Sequence, residues 1–250
     1  MSILDNIPLV LANRANYGTT RRAEDIKYLV FHYTGNDGDN DANNAAYFRD
    51  HVVEASAHYF VDDDSITQSV PDLYVAYAVG GKLWSDTGRT GGGTMYGVIT
   101  NRNSLSIELC DTRRDGMLQA TEATVERTAA LGRALMDKYG ITPDRVYRHF
   151  DVTGKHCPAY WMDEAAWAGF KARLEERMTE DRVREIVGEA LQAARPQVYT
   201  TVAGCPDWAR EMVQRAVDRG VLKGDQVGRL HLTDDNLVNL QLLANLGLLD

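Results

Sequence analysis

The chain has 250 residues, of which 44% are hydrophobic and 25% are charged, a composition typical of a globular protein of one or two domains. Its net charge of -9 argues against nucleic acid as the main partner, because phosphate binding requires clustered lysine and arginine. Three cysteines are too few for a disulfide framework, and no segment approaches the run of about 20 apolar residues that spans a membrane.

In chain order, the elements indicate a mixed α/β fold. Residues 1–12 lack the basic start and long apolar core of an export signal, which predicts synthesis in the cytoplasm without one. Short apolar or alternating runs then predict strands, and apolar spacings of three and four predict helices. The predicted strands are 28–33, 57–61, 65–70, 75–79, 104–110 and 146–150, and the predicted helices are 41–53, 121–139 and 163–177. We therefore expect a central mixed sheet flanked by helices.

Residues with zinc-ligand chemistry occur at two of these strands. His32 ends the apolar run that starts at Tyr28, while His149 and Cys157 lie close together around the end of the last predicted strand. Two imidazoles and one thiolate leave the fourth tetrahedral position of a zinc ion for water, which is the catalytic arrangement. Glu108 adds a carboxylate to the interior of a strand in which polar and apolar residues alternate. A charged side chain at such a position indicates a specific role.

Four short stretches occur in a characteristic order. They are FHYT at 31–34, AHYFVD at 57–62, SIEL at 106–109, and RHFD at 148–151 leading to KHCP at 155–158. Together they resemble the zinc-dependent N-acetylmuramoyl-L-alanine amidases of phages and bacteria, whose fold is shared with the peptidoglycan recognition proteins. The resemblance implies that Zn²⁺ is bound by His32, His149 and Cys157, that Glu108 is the general base, and that Lys155 helps to stabilise the oxyanion.

Three further features have open alternatives. The resemblance places His58 and Tyr59 among the substrate-binding residues. Some members of the family carry a tyrosine at the position of His58. Two alternatives are open for His58, contact with the substrate and no role in the site. The alternative interpretation of Lys155 is an ordinary surface lysine without a catalytic role. The glycine-rich segment 88–97 is either a connector or a substrate gate.

The resemblance implies a peptidoglycan hydrolase of the phage or prophage endolysin type. It would cut the amide between N-acetylmuramic acid and L-alanine, acting on the wall after release, which is holin-dependent if the gene belongs to a phage. One alternative is a module that binds peptidoglycan without cutting it, and Cys157 together with Glu108 favours the enzyme. Another is a structural zinc site, with His58 or Asp151 as the fourth ligand.

The chain is predicted to have three parts. Residues 1–161 form the zinc amidase domain, residues 162–197 a linking helix that ends before Pro196, and residues 198–250 a small helical module. The module is similar to one repeat of the S-layer homology type, which binds cell-wall polymers, but residues 232–236 depart from that pattern. Binding of a wall polymer and self-association are both predicted roles for it.

Overall fold

The computed structural model describes residues 2–175 and 197–247 of the chain. The chain divides into two compact units, Met1–Arg177 and Met178–Asp250. The predicted linking helix lies largely outside the described residues, which contain only its first part as a helix, Glu164–Glu175. The predicted domain limits at residues 161 and 197 stay predictions.

A mixed sheet forms the centre of the first unit. Within residues 2–175 the strands are β1 (Tyr17–Thr20), β2 (Tyr28–Tyr33), β3 (Tyr59–Val61), β4 (Ile66–Gln68), β5 (Tyr74–Ala76), β6 (Ser104–Leu109), β7 (Thr112–Arg114), β8 (Met117–Gln119) and β9 (Val146–Arg148). The central sheet has the order β4, β3, β6, β2, β9, in which β4 is antiparallel to β3 and the other pairs are parallel. The pairs β1–β5 and β7–β8 form two small antiparallel sheets.

The apolar run of β2 explains its place inside the sheet. Leu29 and Phe31 are fully buried in the main core, whereas Val30 faces a second apolar cluster that includes Val152. Burial on both faces is typical of a strand in a parallel sheet covered from both sides.

Helices complete the first unit. They are α1 (Asp41–Asp50), α2 (Thr87–Thr90), α3 (Glu122–Tyr139), α4 (His149–Thr153) and α5 (Glu164–Glu175). α3 begins after Thr121, whose hydroxyl accepts a hydrogen bond from the Thr124 N–H, and ends at Gly140, which has a φ of 63°. Gly132 of α3 allows Leu174 of α5 to approach closely, since a Cβ atom there would lie 2.8 Å from Leu174 Cδ2. α3 and α5 therefore pack together on the main core.

The mixed α/β fold with a central mixed sheet is confirmed, with two local differences. The predicted strand at 75–79 is the shorter β5, which pairs with β1 outside the central sheet. The predicted strand at 146–150 ends at Arg148, because the Asp151 side chain accepts a hydrogen bond from the Arg148 N–H and caps the start of α4. His149 consequently begins a helix.

The second unit contains a small helical module, as predicted. Its helices α6 (Asp207–Asp218) and α7 (Asp234–Asn245) surround an apolar core of their own. The buried positions of α6 are Ala209, Met212, Val213 and Ala216, a spacing that defines one helix face. Trp208 lies off this face and is 55% exposed. No helix in the described ranges has both the length and the apolar character that a membrane span requires.

Candidate metal centre and active site

Parallel strands bring the predicted site residues to one end of the central sheet. His32 near the end of β2 is the direct neighbour of Glu108 on β6. On the other side of β2 lies β9, and His149 follows β9 immediately as the first residue of α4. The carboxyl ends of parallel strands are where side chains from separate parts of a chain converge on a ligand.

The three predicted metal ligands form a cluster. The ligand atoms of His32, His149 and Cys157 lie within 4.8 Å of one another, and all three residues are buried. Cys157 Sγ is 3.8 Å from His32 Nδ1, and the two imidazole centroids are 4.7 Å apart. Within residues 2–175 and 197–247, no further histidine, cysteine or carboxylate joins this cluster at ligand spacing. Three protein ligands leave one position of a tetrahedral ion open.

An unpaired polar atom in the cluster fits a metal ion. His149 Nδ1 is buried and has no hydrogen-bond partner in the described part of the chain, and His32 turns its Nδ1 towards Cys157 and Glu108. Burial lowers the pKa of His32, and burial together with the Lys155 charge lowers that of His149 to about 4, so both rings are neutral at pH 7. Burial also raises the pKa of the Cys157 thiol. A neutral imidazole can donate a nitrogen lone pair to a metal ion, and a bound cation would favour the thiolate form of Cys157.

Glu108 places a carboxyl group beside the cluster. Its Oε1 is 3.9 Å from His32 Nδ1, and its Oε2 is buried without a hydrogen-bond partner among the described residues. Burial raises the pKa of Glu108 to about 8, although the nearby Lys155 charge opposes this. A carboxyl group with such a perturbed pKa in a cleft is typical of a functional site.

Lys155 lies on the loop between α4 and Cys157 and is exposed. Its positive charge lowers the pKa of His32, of His149 and of Glu108, which indicates that the ammonium group is close to all three. The structure therefore brings Lys155 to the edge of the cluster.

An ion pair fixes the segment that carries two of the ligands. Arg148 and Asp151 are joined by two side-chain hydrogen bonds, of 2.7 and 3.1 Å, and Arg148 Nη1 also donates to the Trp161 carbonyl at 2.7 Å. Asp151 is thus engaged with Arg148. It does not join the ligand cluster as a fourth ligand, the alternative that the sequence had left open.

His58 and Tyr59 are not brought to this site. The His58 ring is fully buried, accepts a hydrogen bond at Nδ1 from the Ser106 N–H at 3.0 Å, and has Nε2 2.8 Å from Arg21 Nη2. The Tyr59 hydroxyl donates to Asp72 at 2.5 Å in a separate buried network. Both side chains are committed to internal hydrogen bonds, and their substrate-binding role stays a prediction.

Two features of the site were missed by the sequence reasoning. Asp111 is buried three positions after Glu108, and its Oδ2 accepts a hydrogen bond from the Gly35 N–H at 2.9 Å, which holds the loop that follows His32. Burial raises the pKa of Asp111 to about 7. In the sequence, the feature that could have indicated this role of Asp111 was a carboxylate directly after an apolar strand.

The second missed feature is the packing of the glycine-rich segment and of Trp84, which precedes it. Trp84 N–H donates to the Thr153 carbonyl at 2.8 Å, and Gly93 N–H donates to the Phe150 carbonyl at 2.9 Å. A Cβ atom at Gly92 would lie 2.8 Å from the Gly154 Cα. This segment is therefore docked against α4, the helix that begins with His149.

Comparisons with known proteins agree with this geometry. A family model described as N-acetylmuramoyl-L-alanine amidase matches residues 22–160. The amidase BlyA of Bacillus subtilis is 33% identical over 184 residues, which cover 72% of this chain and 47% of BlyA. The amidase CwlL of Bacillus licheniformis is 28% identical over 176 residues, covering 68% of this chain and 46% of CwlL.

A solved structure shares the fold. A mutant endolysin from Bacillus subtilis superposes with a TM-score of 0.52 at 26% identity, over 70% of this chain and 99% of that one. The chain spans about half the length of the curated relatives it matches. The family match, by contrast, includes more than half of the present chain and all of His32, Glu108, His149 and Cys157. The protein therefore belongs to the N-acetylmuramoyl-L-alanine amidase family.

Proposed function

We propose that this chain hydrolyses the amide bond between the lactyl group of N-acetylmuramic acid and the L-alanine of the peptidoglycan stem peptide. The relatives BlyA and CwlL carry the name of this activity. The observation that carries the proposal is the cluster of His32, His149 and Cys157 beside the carboxyl group of Glu108. A buried carboxyl oxygen without a partner is costly, which favours a catalytic role over a module that only binds the wall.

The proposed cofactor is Zn²⁺, held by His32, His149 and Cys157. Two nitrogen donors and one sulfur donor suit zinc, and the absence of a fourth protein donor within the described ranges suits a catalytic site. A bound zinc ion would polarise the scissile carbonyl and make hydroxide available near neutral pH. The alternative of a structural zinc site would require a fourth ligand, and neither His58 nor Asp151 is free to supply one.

The proposed catalytic residues are Glu108 and Lys155. Glu108 takes the proton of the attacking water and returns it to the leaving amine, a role that its position beside the ligand cluster supports, with Oε1 3.9 Å from His32 Nδ1. Lys155 donates to the carbonyl oxygen that becomes negative in the tetrahedral intermediate. Its ammonium group is exposed, so it is accessible to a substrate in the adjacent pocket.

We extend the proposal to the biological setting. The enzyme is a phage or prophage endolysin that is made in the cytoplasm and reaches bacterial peptidoglycan after release, by a holin if it is phage-encoded. Its likeness to an endolysin of Bacillus subtilis supports this setting. The second unit binds a cell-wall polymer or associates with a second copy, and its independent apolar core supports a role separate from the chemistry.

Digestion of purified peptidoglycan, followed by mass analysis of the fragments, tests the proposed function. An amidase releases intact stem peptides with a free N-terminal L-alanine and leaves the glycan strands uncut. New reducing sugar ends without free L-alanine would contradict the proposal, and wall binding without any cleavage would favour the binding module.

A further inference from the structure

One pocket of the first unit combines part of the candidate active site with two lysines. It has a volume of about 490 Å³, and its lining includes His149, Lys155, Lys82 and Trp84. A pocket of this size can hold a substantial part of an organic substrate. A substrate that reacts beside His149 therefore has room to extend towards Lys82.

The charge of this pocket differs from that of the protein as a whole. The chain has a net charge of -9, yet the lining contains two lysines and one acidic residue, Glu54. Across residues 2–175 and 197–247, neither Lys82 nor Lys155 forms an ion pair with a carboxylate. Unpaired ammonium groups in a concave site attract a negatively charged group.

The pocket on the Glu108 side has a different chemistry. Its volume is about 510 Å³, and its described lining contains the carboxyl groups of Asp39 and Glu108, the amides of Asn36, Asn43 and Asn44, and no lysine or arginine. Carboxyl and amide groups without a basic side chain do not favour an anionic ligand. The pocket beside His149 and the pocket beside Glu108 therefore differ in the charge that they favour.

The wall that carries Lys82 is fixed to the segment that bears the metal ligands. Trp84, two residues after Lys82, donates its N–H to the Thr153 carbonyl at 2.8 Å, and its indole lies parallel to the His156 ring with centroids 6.2 Å apart. The position of the Lys82 wall relative to Lys155 is thus set before substrate arrives. Such preorganisation reduces the entropic cost of binding.

The chemistry of the proposed substrate identifies the charged group. The lactyl carboxyl of muramic acid is consumed in the amide bond, so the free carboxylates next to that bond belong to the stem peptide. They are the α-carboxyl of D-isoglutamate at the second position and a side-chain carboxyl of diaminopimelate at the third, and many walls amidate one or the other. Resting on the proposed function, we infer that the pocket of Lys82 and Lys155 binds a free stem-peptide carboxylate and that Lys82 confers a preference for stems that are not amidated there.

Matched pairs of soluble muropeptides test this inference. The first pair is N-acetylmuramoyl-L-alanyl-D-isoglutamate and its isoglutamine form. The second pair carries diaminopimelate at the third position, with its side-chain carboxyl free or amidated. Purified walls that differ only in the same amidations are digested in parallel, so that the comparison does not depend on short substrates. The pair in which the free acid is preferred identifies the carboxylate that is bound.

We expect kcat/KM to be up to about fivefold higher for the free acid, mainly through a lower KM, because an exposed ammonium contributes at most about 1 kcal/mol and binds ground and transition states alike. Lys82→Met should bring this ratio close to one, and Lys82→Arg should preserve it. Lys27→Met, at an exposed lysine outside both pockets, is the matched control and should leave the ratio unchanged.

The outcomes separate this inference from the proposed function. Cleavage of both members of every pair at equal rates, or a preference that survives Lys82→Met, would overturn the carboxylate site and leave the amidase activity standing. Failure to release a peptide with a free N-terminal L-alanine from any of these substrates or walls would instead refute the amidase activity on which the inference rests. A preference that is lost in Lys82→Met and retained in Lys82→Arg supports the inference.

Discussion

At the scale of single residues, Glu108 is the group whose replacement should separate chemistry from metal binding. In Glu108→Gln we expect zinc content to stay stoichiometric, while kcat on soluble muropeptide falls by about 10²–10⁴, because a positioned base contributes about that factor. Atomic absorption measures the zinc content, and the rate at which stem peptide with a free N-terminal L-alanine is released measures kcat. Glu24→Gln, an exposed glutamate away from the site, is the control. A loss of zinc in Glu108→Gln would make Glu108 a ligand.

Cys157 should show the opposite behaviour, with metal and activity lost together. A serine hydroxyl is a far poorer zinc ligand than a thiolate, so Cys157→Ser should bind zinc weakly and release little stem peptide. Cys110→Ser is a matched control, because Cys110 is also buried but lies outside the ligand cluster. Full zinc occupancy with normal activity in Cys157→Ser would remove this residue from the site.

The ionisation of Asp72 should make the stability of the protein depend on pH. Burial alone would raise the pKa of the Asp72 carboxyl, but hydrogen bonds from Lys138, Tyr139 and Tyr59 outweigh it, and the pKa lies below its ordinary value. The ionised carboxylate therefore stabilises the folded state above the unfolded-state pKa of about 3.9, and this contribution is lost as the pH falls through the lower folded-state value.

Asp72→Asn should accordingly lower the free energy of unfolding at pH 7 by about 1–3 kcal/mol, because Lys138, Tyr139 and the buried Tyr59 lose a charged acceptor. Below about pH 4 the difference from the wild type should shrink. Urea unfolding of both proteins at several pH values measures this. A difference that stays constant from pH 7 to pH 3 would show that the ionisation of Asp72 does not matter.

The site was predictable from the types of its residues, whereas the hydrogen-bond partners of the predicted residues were not. His32, His149 and Cys157 were predicted together because two imidazoles and a thiol at strand ends suit zinc, and the structure places them within ligand reach. The burial of His58 was not predictable, because its contact with Arg21 joins residues that are 37 positions apart. Local sequence does not reveal such a long-range partner.

At the scale of elements, the contact between Gly92 and Gly154 should control the metal-binding segment. A Cβ atom at Gly92 would lie 2.5 Å from the Phe150 ring and 2.8 Å from the Gly154 backbone, so Gly92→Ala must displace one of them. We expect a loss of stability of about 1–3 kcal/mol, the usual effect of overpacking, together with weaker zinc affinity.

Gly88→Ala is the matched control for this prediction. A Cβ atom at Gly88 meets nothing within 4 Å, and the residue lies in the short helix α2 of the same segment. Thermal unfolding and a zinc-chelator competition should therefore leave Gly88→Ala close to wild type. Equal behaviour of the two variants would show that close packing of this segment does not support the site.

Sequence patterns predicted the long elements better than the short ones. The run 28–33 and the helix 121–139 agree with β2 and α3, because each has a clear apolar period and α3 also has a cap at each end. The docked segment around Gly92 carries no such period. Its position depends on backbone hydrogen bonds to α4, which the glycine content does not reveal.

At the scale of the whole molecule, the division into two units predicts where the chain can be cut. A fragment that ends at Arg177 retains α5, whose residues Trp167, Phe170 and Leu174 belong to the main core. It should fold, bind zinc and cleave soluble muropeptide at close to the full-length rate. A fragment that ends at Trp161 lacks this apolar surface and should fail to fold, which circular dichroism would detect.

The same Arg177 fragment should lose activity on whole walls. A second unit that binds the wall raises the effective concentration of the enzyme at its substrate, and self-association would have a similar effect by presenting two sites. Light scattering and a pull-down with purified walls distinguish these two roles. An inactive fragment that is folded and zinc-loaded would show that the second unit contributes to the active site.

The pairing of His32 with Glu108 on adjacent strands has a consequence for redesign. Because the two residues are direct neighbours in the parallel register of β2 and β6, their separation follows from the strand spacing and is insensitive to changes in the surrounding loops. Libraries that vary residues 80–83 and keep Trp84 with its hydrogen bond to Thr153 would test whether substrate choice can be altered while the hydrolytic chemistry is retained. Lytic enzymes directed at different bacterial walls could be selected from this one scaffold.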